Sequence, residues 1–421
     1  MLYWVGVAAF ALCILISVSL HELGHMITAK RFGMKVTRYF VGFGPTIFSF
    51  QRGETEYGLK AIPLGGFCKI VGMTPQDDDV RPEDQHRAMW RFPVWKRTVV
   101  MSAGSITHFM LALAAAWVAA MTIGLPNTNY PTTDEAVLRE RAHVSASECT
   151  WITIPADGHA CQPGEAGSVP GPAYAAGLRD GDLITKIAGA PVGTYGQLTD
   201  TIRARQPGPV DIEYVRDGVT TTAQVDLIAA NRKPITDENG ATAQVAVLGV
   251  GWDVTSVPGN LKYNVLEAFP ATADYGWFLV ENTFKALGRI PEKVPALWNS
   301  LTGAERDPDT PISVVGASRL GGEALEHGVP ELFLNIFISL NVFIGIFNLL
   351  PLLPVDGGHI AIAWFERVRS WLYAWLKKPD PGRVDYYKLM PVTYAVILIG
   401  GAFTLLTVTA DIINPITIFS R

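Results

Sequence analysis

His21-Glu22-Leu23-Gly24-His25 is the run in this chain whose residue types and spacing point most directly to chemistry. On a helix, positions i and i+4 share a face, so two imidazoles can converge on one ion. The Glu beside the first His can then serve as general base on a water held at that ion. The plainer reading is a helix that ends in three ordinary polar residues. A catalytic zinc takes three protein ligands and one open position, so a further donor is needed. Asp356, in Asn348-Leu-Leu-Pro-Leu-Leu-Pro-Val-Asp-Gly-Gly-His359, is the best candidate. Pro351 and Pro354 cannot sustain regular helical hydrogen bonds, and Gly357 with Gly358 permits a sharp turn. By itself this run reads equally well as a helix stop with a solvated Asp cap. Beside a two-His site that lacks a ligand, the ligand reading wins. His359 either supports the site from behind or merely follows the turn.

These residues must be positioned by membrane-spanning elements. Hydrophobic residues make up 49% of the 421, and charged residues 17%, against about a quarter in soluble proteins. The deficit concentrates in Leu2–Leu20, Val99–Leu125, Leu332–Val355 and Leu389–Ala410. Each approaches the roughly 20 apolar residues that cross a bilayer. The expected fold is an α-helical polytopic membrane protein with four transmembrane helices. Titratable groups at the end of an apolar span are costly and usually functional. The first stretch lacks a basic leader and a small-residue cleavage site, so it reads as a retained span.

Lys and Arg set the orientation. Loop 26–97 holds twelve and loop 356–388 six, whereas segment 126–331 holds fifteen over a far greater length. Short basic loops face the cytoplasm and long translocated domains count little. Both termini and the long segment are then extracytoplasmic, in the plasma (inner) membrane. The first and third spans run in the same direction, so His21–His25 and Asp356 share a depth near the cytoplasmic face. A net charge of -5, with no basic patch, gives no sign of nucleic acid as a partner; the lipid bilayer is one.

The connecting segments divide the chain further. Residues 1–30 are the first transmembrane helix. Residues 31–97 form a cytoplasmic re-entrant loop in which short apolar strands (Thr46–Phe50, Thr55–Ala61, Cys68–Gly72) alternate with Gly and Pro as a membrane-associated β-hairpin. Asp77-Asp78-Asp79 and Arg81–His86 read as a solvated surface segment. Residues 98–125 are the second span, and 126–256 an α/β domain. There Ala-x-x-Ala-Gly-Leu-x-x-Gly-Asp, within 173–182, resembles a protease-associated PDZ domain. Tyr195–Ala204 reads as a helix, and Val210–Val215 with Thr220–Leu227 as strands around the turn Asp217-Gly218. Cys149 and Cys161 flank the turn signal Asp157-Gly158 in an oxidising compartment, which predicts a disulfide. Residues 257–330 are an extracytoplasmic amphipathic segment, with Trp277–Leu287 as a surface helix. The third span covers 331–360, a cytoplasmic amphipathic loop 361–388, and the fourth span with the C-terminus 389–421.

Taken together, these motifs resemble the site-2 protease family of intramembrane zinc metalloproteases, in the branch with a PDZ domain. The likeness covers nearly the whole chain, and the single PDZ module and Cys pair look like actinobacterial members. It implies that His21, His25 and Asp356 bind Zn2+, that Glu22 is the catalytic base and that Asn348 helps hold substrate. Substrates would be single-span membrane proteins, such as anti-sigma factors already trimmed outside. Members often carry Ala-Gly-Pro-x-x-Asn in the second span; here Ala103-Gly-Ser-Ile-Thr-His108 has Ser105 for Pro and His108 for Asn. His108 is either a polar contact near the site or a packing residue. A catalytically silent PDZ scaffold is one alternative, although a silent metal site has no need of Glu22. A zinc transporter is another, but it would need polar groups at several depths.

Overall fold

The computed structural model describes residues 1–77, 80–155, 158–235 and 240–419. Asp78, Asp79 and Asp157, which figure in the expectations above, lie outside this range. In chain order, α1 spans Leu2–Arg31, β1 Val36–Arg52, β2 Thr55–Ile70 and α2 Val94–Thr122. Three short helices follow: α3 (Asp134–Arg139), α4 (Pro172–Ala175) and α5 (Tyr195–Arg203). Then come α6 (Ala268–Leu301), α7 (Val314–Glu326), α8 (Pro330–Asn348), α9 (Asp356–Trp375) and α10 (Met390–Ile413). The chain divides into two compact units, Met1–Leu125 with Lys262–Arg421, and Pro126–Leu261.

In the first unit, four helices are long and apolar enough to cross a membrane: α1, α2, α8 and the stretch Tyr386–Ile413 that contains α10. Their apolar residues face outward in large numbers; only 17–44% of each apolar window is buried. A soluble bundle would hide such faces from water, so these point to lipid. Close helix approach relies on glycine. A Cβ at Gly6 would stand 2.9 Å from the Gly321 carbonyl oxygen, and one at Gly321 2.8 Å from Phe10. That contact lays α7 along the N-terminal half of α1. Small residues let helices approach closely where lipid supplies no hydrophobic drive.

The hairpin is longer than its sequence signals suggest. Residues 46–52 pair with 55–60, and Phe40 pairs both with Gly58 and with Phe67. The two strands therefore fold back into four short segments, in which 46–52 runs antiparallel to 55–60 and 36–41 antiparallel to 66–70, while 38–41 lies parallel to 56–59; the bends fall where Gly42, Gly44 and Gly65 take positive φ. Segment 66–70 lies at one edge. Phe43, Ile47, Phe48, Phe50 and Ile62 are exposed on the hairpin, an apolar surface suited to lipid. The 81–86 segment is not simply solvated. Asp84 is buried and pairs with Lys35 Nζ at 2.6 Å.

The third apolar helix stops at Asn348, and Asp356 begins a separate helix, α9. The intervening turn is tight. Cβ atoms at Gly357 and Gly358 would stand 2.2 Å from the Leu350 carbonyl oxygen and 2.7 Å from the Leu352 carbonyl. Within the segment expected as an amphipathic loop, 361–388, α9 runs on as helix to Trp375. The Trp277–Leu287 stretch likewise lies within the 34-residue α6, which buries Tyr275 against α2 and α8.

The second unit is built on an antiparallel sheet. Its strands run in the order 243–247, 219–232, 208–216, 182–187, 143–146 and 250–252, with 190–191 beside 182–187. Asp217 and Gly218, both at positive φ, turn the central hairpin. Leu178, Ile184, Ile187, Leu198 and Ile212 are wholly enclosed in its core. The Gly181-Asp182 pair has a structural task. Asp182 is fully buried and receives both Arg216 Nε and Nη2 at 2.7 Å. Cys149 and Cys161 Sγ atoms stand 2.01 Å apart.

Candidate metal centre

α1 carries His21 and His25 one turn apart and buries both, at 7% and 5% exposure. Their Nε2 atoms are 3.1 Å apart. Asp356 Oδ2, from the first residue of α9, stands 3.3 Å from His21 Nε2 and 3.2 Å from His25 Nε2. The side chains from the two motifs therefore meet at one point. Among the described residues this is the one group of three or more His, Cys, Asp or Glu side chains arranged to hold a metal.

α2 forms the wall behind them. A Cβ at Gly104 would fall 2.5 Å from His21 Cε1 and 2.5 Å from His25 Nε2. A Cβ at Gly24 would meet the Ala103 carbonyl oxygen and Thr107 Oγ1, both at 2.7 Å. The two helices thus touch through paired glycines at the level of the imidazoles. His25 Nδ1 lies 2.7 Å from the Val100 carbonyl oxygen. A carbonyl only accepts, so Nδ1 carries the proton and Nε2 presents a lone pair.

Glu22 is half-buried beneath segment 66–70 of β2. The Cβ position of Gly66 is 3.6 Å from Glu22 Cγ. One edge of the sheet therefore faces the site. Asn348 ends α8, half-buried, and its side chain makes no hydrogen bond among the described residues. His108 is buried at 1% exposure with its ring centroid 5.0 Å from that of His21. His359, one turn along α9 from Asp356, stacks on Tyr386 at 5.8 Å.

The profile of peptidase family M50 matches residues 9–374. This chain belongs to that family. The zinc metalloprotease Rip1 of Mycobacterium tuberculosis (strain H37Rv) is 42% identical over 419 residues, covering 100% of both chains. Rip1 of Mycolicibacterium smegmatis is 42% identical over 423 residues, again at full coverage. The metalloprotease MmpA of Caulobacter vibrioides is 27% identical, covering 83% of this chain and 84% of its own. The M50 protein described here is a zinc-dependent intramembrane metalloprotease, a membrane protein that acts on membrane-embedded substrates.

The donor set of this M50 chain suits zinc. Two imidazoles and one carboxylate are the ligand types of catalytic zinc sites. Donors about 2.0–2.1 Å from a tetrahedral ion stand about 3.3–3.4 Å apart, close to the three separations above. Asp356 Oδ2 is buried and has no hydrogen-bond donor. His25 Nε2 and Asp356 Oδ2 both present lone pairs to this point, and a cation held there with His21 Nε2 would satisfy them together.

Sequence reasoning missed Gly24 and Gly104. Gly24 lies inside the motif itself, and Gly104 within the second-span run already noted. A glycine at each was a visible signal; what each one made room for was not.

Proposed function

We propose that His21, His25 and Asp356 hold the catalytic zinc of this M50 protease and that Glu22 is its general base. The observation that carries this reading is the meeting of His21 Nε2, His25 Nε2 and Asp356 Oδ2 within 3.3 Å of one another, beside the Glu22 carboxyl. When bound, zinc polarises the scissile carbonyl and acidifies the attacking water. Glu22 takes a proton from that water as the C–O bond forms, then delivers it to the leaving nitrogen as the C–N bond breaks. Asn348 is proposed as a donor to the substrate backbone or to the developing oxyanion.

A helical substrate hides its carbonyls in i to i−4 bonds and must unwind before attack. We assign the presentation of the unwound segment to the edge at 66–70, by β-addition. Substrates are then single-span membrane proteins with helix-weakening residues near the cut, anti-sigma factors among them. The unit Pro126–Leu261 is proposed as a PDZ domain outside the membrane, stapled by a Cys149–Cys161 disulfide and acting as a filter on substrates. Both termini lie on that same side, with the active site near the cytoplasmic face of the plasma membrane.

Purified protein and a single-span model substrate test the assignment. Glu22→Gln is expected to lower kcat by about 10²–10⁴-fold, while bound zinc, measured by elemental analysis, stays at parental level. A Gln variant that cuts as fast as the parent removes Glu22 from the mechanism.

A further inference from the structure

Three spans meet at a polar cluster that the mechanism above leaves unused. Ser17 on α1, His108 on α2 and Asn341 on α8 are all 1–2% exposed. Asn341 Nδ2 donates to the Phe337 carbonyl oxygen at 2.9 Å, which fixes the side on which its oxygen lies. That oxygen accepts from the Ser17 hydroxyl and stands 2.8 Å from His108 Nδ1. An amide oxygen only accepts, so His108 Nδ1 carries the proton. His108 Nε2 is then a bare acceptor, buried and without a partner.

His21 presents the complement. Its Nε2 faces His25 and Asp356. For that nitrogen to bind a cation, the ring proton must sit on Nδ1. His21 Nδ1 is also buried and unpartnered. It points toward α2, 2.6 Å from the Cβ position of Gly104, and His108 follows Gly104 by one helical turn on the same face. The two rings are 5.0 Å apart between centroids, tilted by 46°. One ring thus carries an orphan donor and its neighbour an orphan acceptor, and buried polar groups of this kind find partners. A small ring rotation or one bridging water joins them. His25 shows what is at stake: its Nδ1 is already held by the Val100 carbonyl, whereas His21 has no such tie.

We propose that His108 is a positioning residue whose Nε2 accepts the His21 Nδ1 proton, directly or through one water, and so locks His21 in its metal-binding tautomer. Ser17 and Asn341 in turn hold His108 in the tautomer that can accept. The inference rests on the zinc-site reading above and deepens it.

The test uses the full-length chain in detergent, stripped of metal, with zinc affinity read by competition against a chromophoric chelator. His108→Phe keeps the ring and removes the acceptor; should it not accumulate, His108→Leu takes its place. Zinc affinity is expected to weaken about 10–100-fold, kcat to fall with KM little changed, and the visible spectrum of the cobalt-loaded form to shift. His108→Gln, which restores an acceptor oxygen, is expected to recover most of the affinity. A Gln variant as weak as Phe means that packing, not the hydrogen bond, matters, and overturns the proposal. Asp356→Asn separates the two levels. If Asp356→Asn loses zinc while His108→Phe keeps parental affinity and cobalt spectrum, only this inference falls. If Asp356→Asn binds as tightly as the parent, the zinc-site reading itself falls.

Discussion

Gly104 shows how little room the site leaves. Ordinary carbon contacts begin near 3.4 Å, and a methyl here would stand 2.5 Å from both imidazoles. The neighbours are ring atoms of stiff side chains backed by α2, so they cannot swing clear. Gly104→Ala is expected to displace His21 and His25 and to weaken zinc binding at least tenfold, with about 1–3 kcal/mol of overpacking cost. Chelator competition and thermal unfolding measure the two effects. Ser105→Ala is the control, because the Ser105 hydroxyl is buried with no partner. Its removal is expected to leave zinc affinity at the parental value. Parental zinc affinity in Gly104→Ala would show that the imidazoles do not need this wall.

Helix α9 matters because it carries Asp356 at its first position, where the carboxylate also meets the positive end of the helix. Its orientation is secured further along. Glu366 receives Arg97 Nη1 from α2 at 3.2 Å, Arg383 Nη1 at 2.9 Å and the Val384 N–H at 2.9 Å. Arg97 and Glu366 side chains are 4% and 5% exposed. Burial alone would raise the Glu366 carboxyl, but these three donors hold it below its ordinary value of 4.5. A depressed carboxyl contributes stability that is complete above the unfolded value and lost as pH falls through the lower, folded one. The α2–α9 anchor is therefore expected to hold at neutral pH and to weaken below about pH 4.5. Glu366→Gln strands Arg97 and is expected to cost about 3–5 kcal/mol, with looser zinc binding through a displaced Asp356. Denaturation at pH 7 and at pH 4 checks this: the gap between parent and variant should shrink at the lower pH. A gap that stays constant would exclude the ion pair as its source.

At the scale of the whole molecule, every proposed metal ligand and the base belong to the unit formed by Met1–Leu125 and Lys262–Arg421. The unit Pro126–Leu261 has its own core and supplies none of them. Replacing residues 126–261 by a flexible linker is expected to leave zinc affinity within about twofold, since sites without shared partners act independently. It should also admit substrates with larger outer domains, if that unit is a filter. Cleavage of a substrate pair differing only in the size of the outer domain reads this directly. Loss of zinc in the shortened chain would mean that the second unit supports the metal site.

The proposed ligand residues were legible in the order of residues because their signals are local. Spacing of four on a helix puts His21 and His25 on one face whatever surrounds them, and Pro and Gly around Asp356 break a helix wherever they stand. The four apolar stretches and the turn at Asp217-Gly218 are legible for the same reason. Matters that depend on two distant segments touching were decided only in three dimensions. The approach of α1 to α2 turned Gly24 and Gly104 from unremarked small residues into the contact that seats the imidazoles. Folding the hairpin into four segments brought the edge at 66–70 to Glu22. The same packing set the free nitrogen of His108 beside that of His21, because hydrogen-bond partners follow from which side chains tertiary contacts bring within reach.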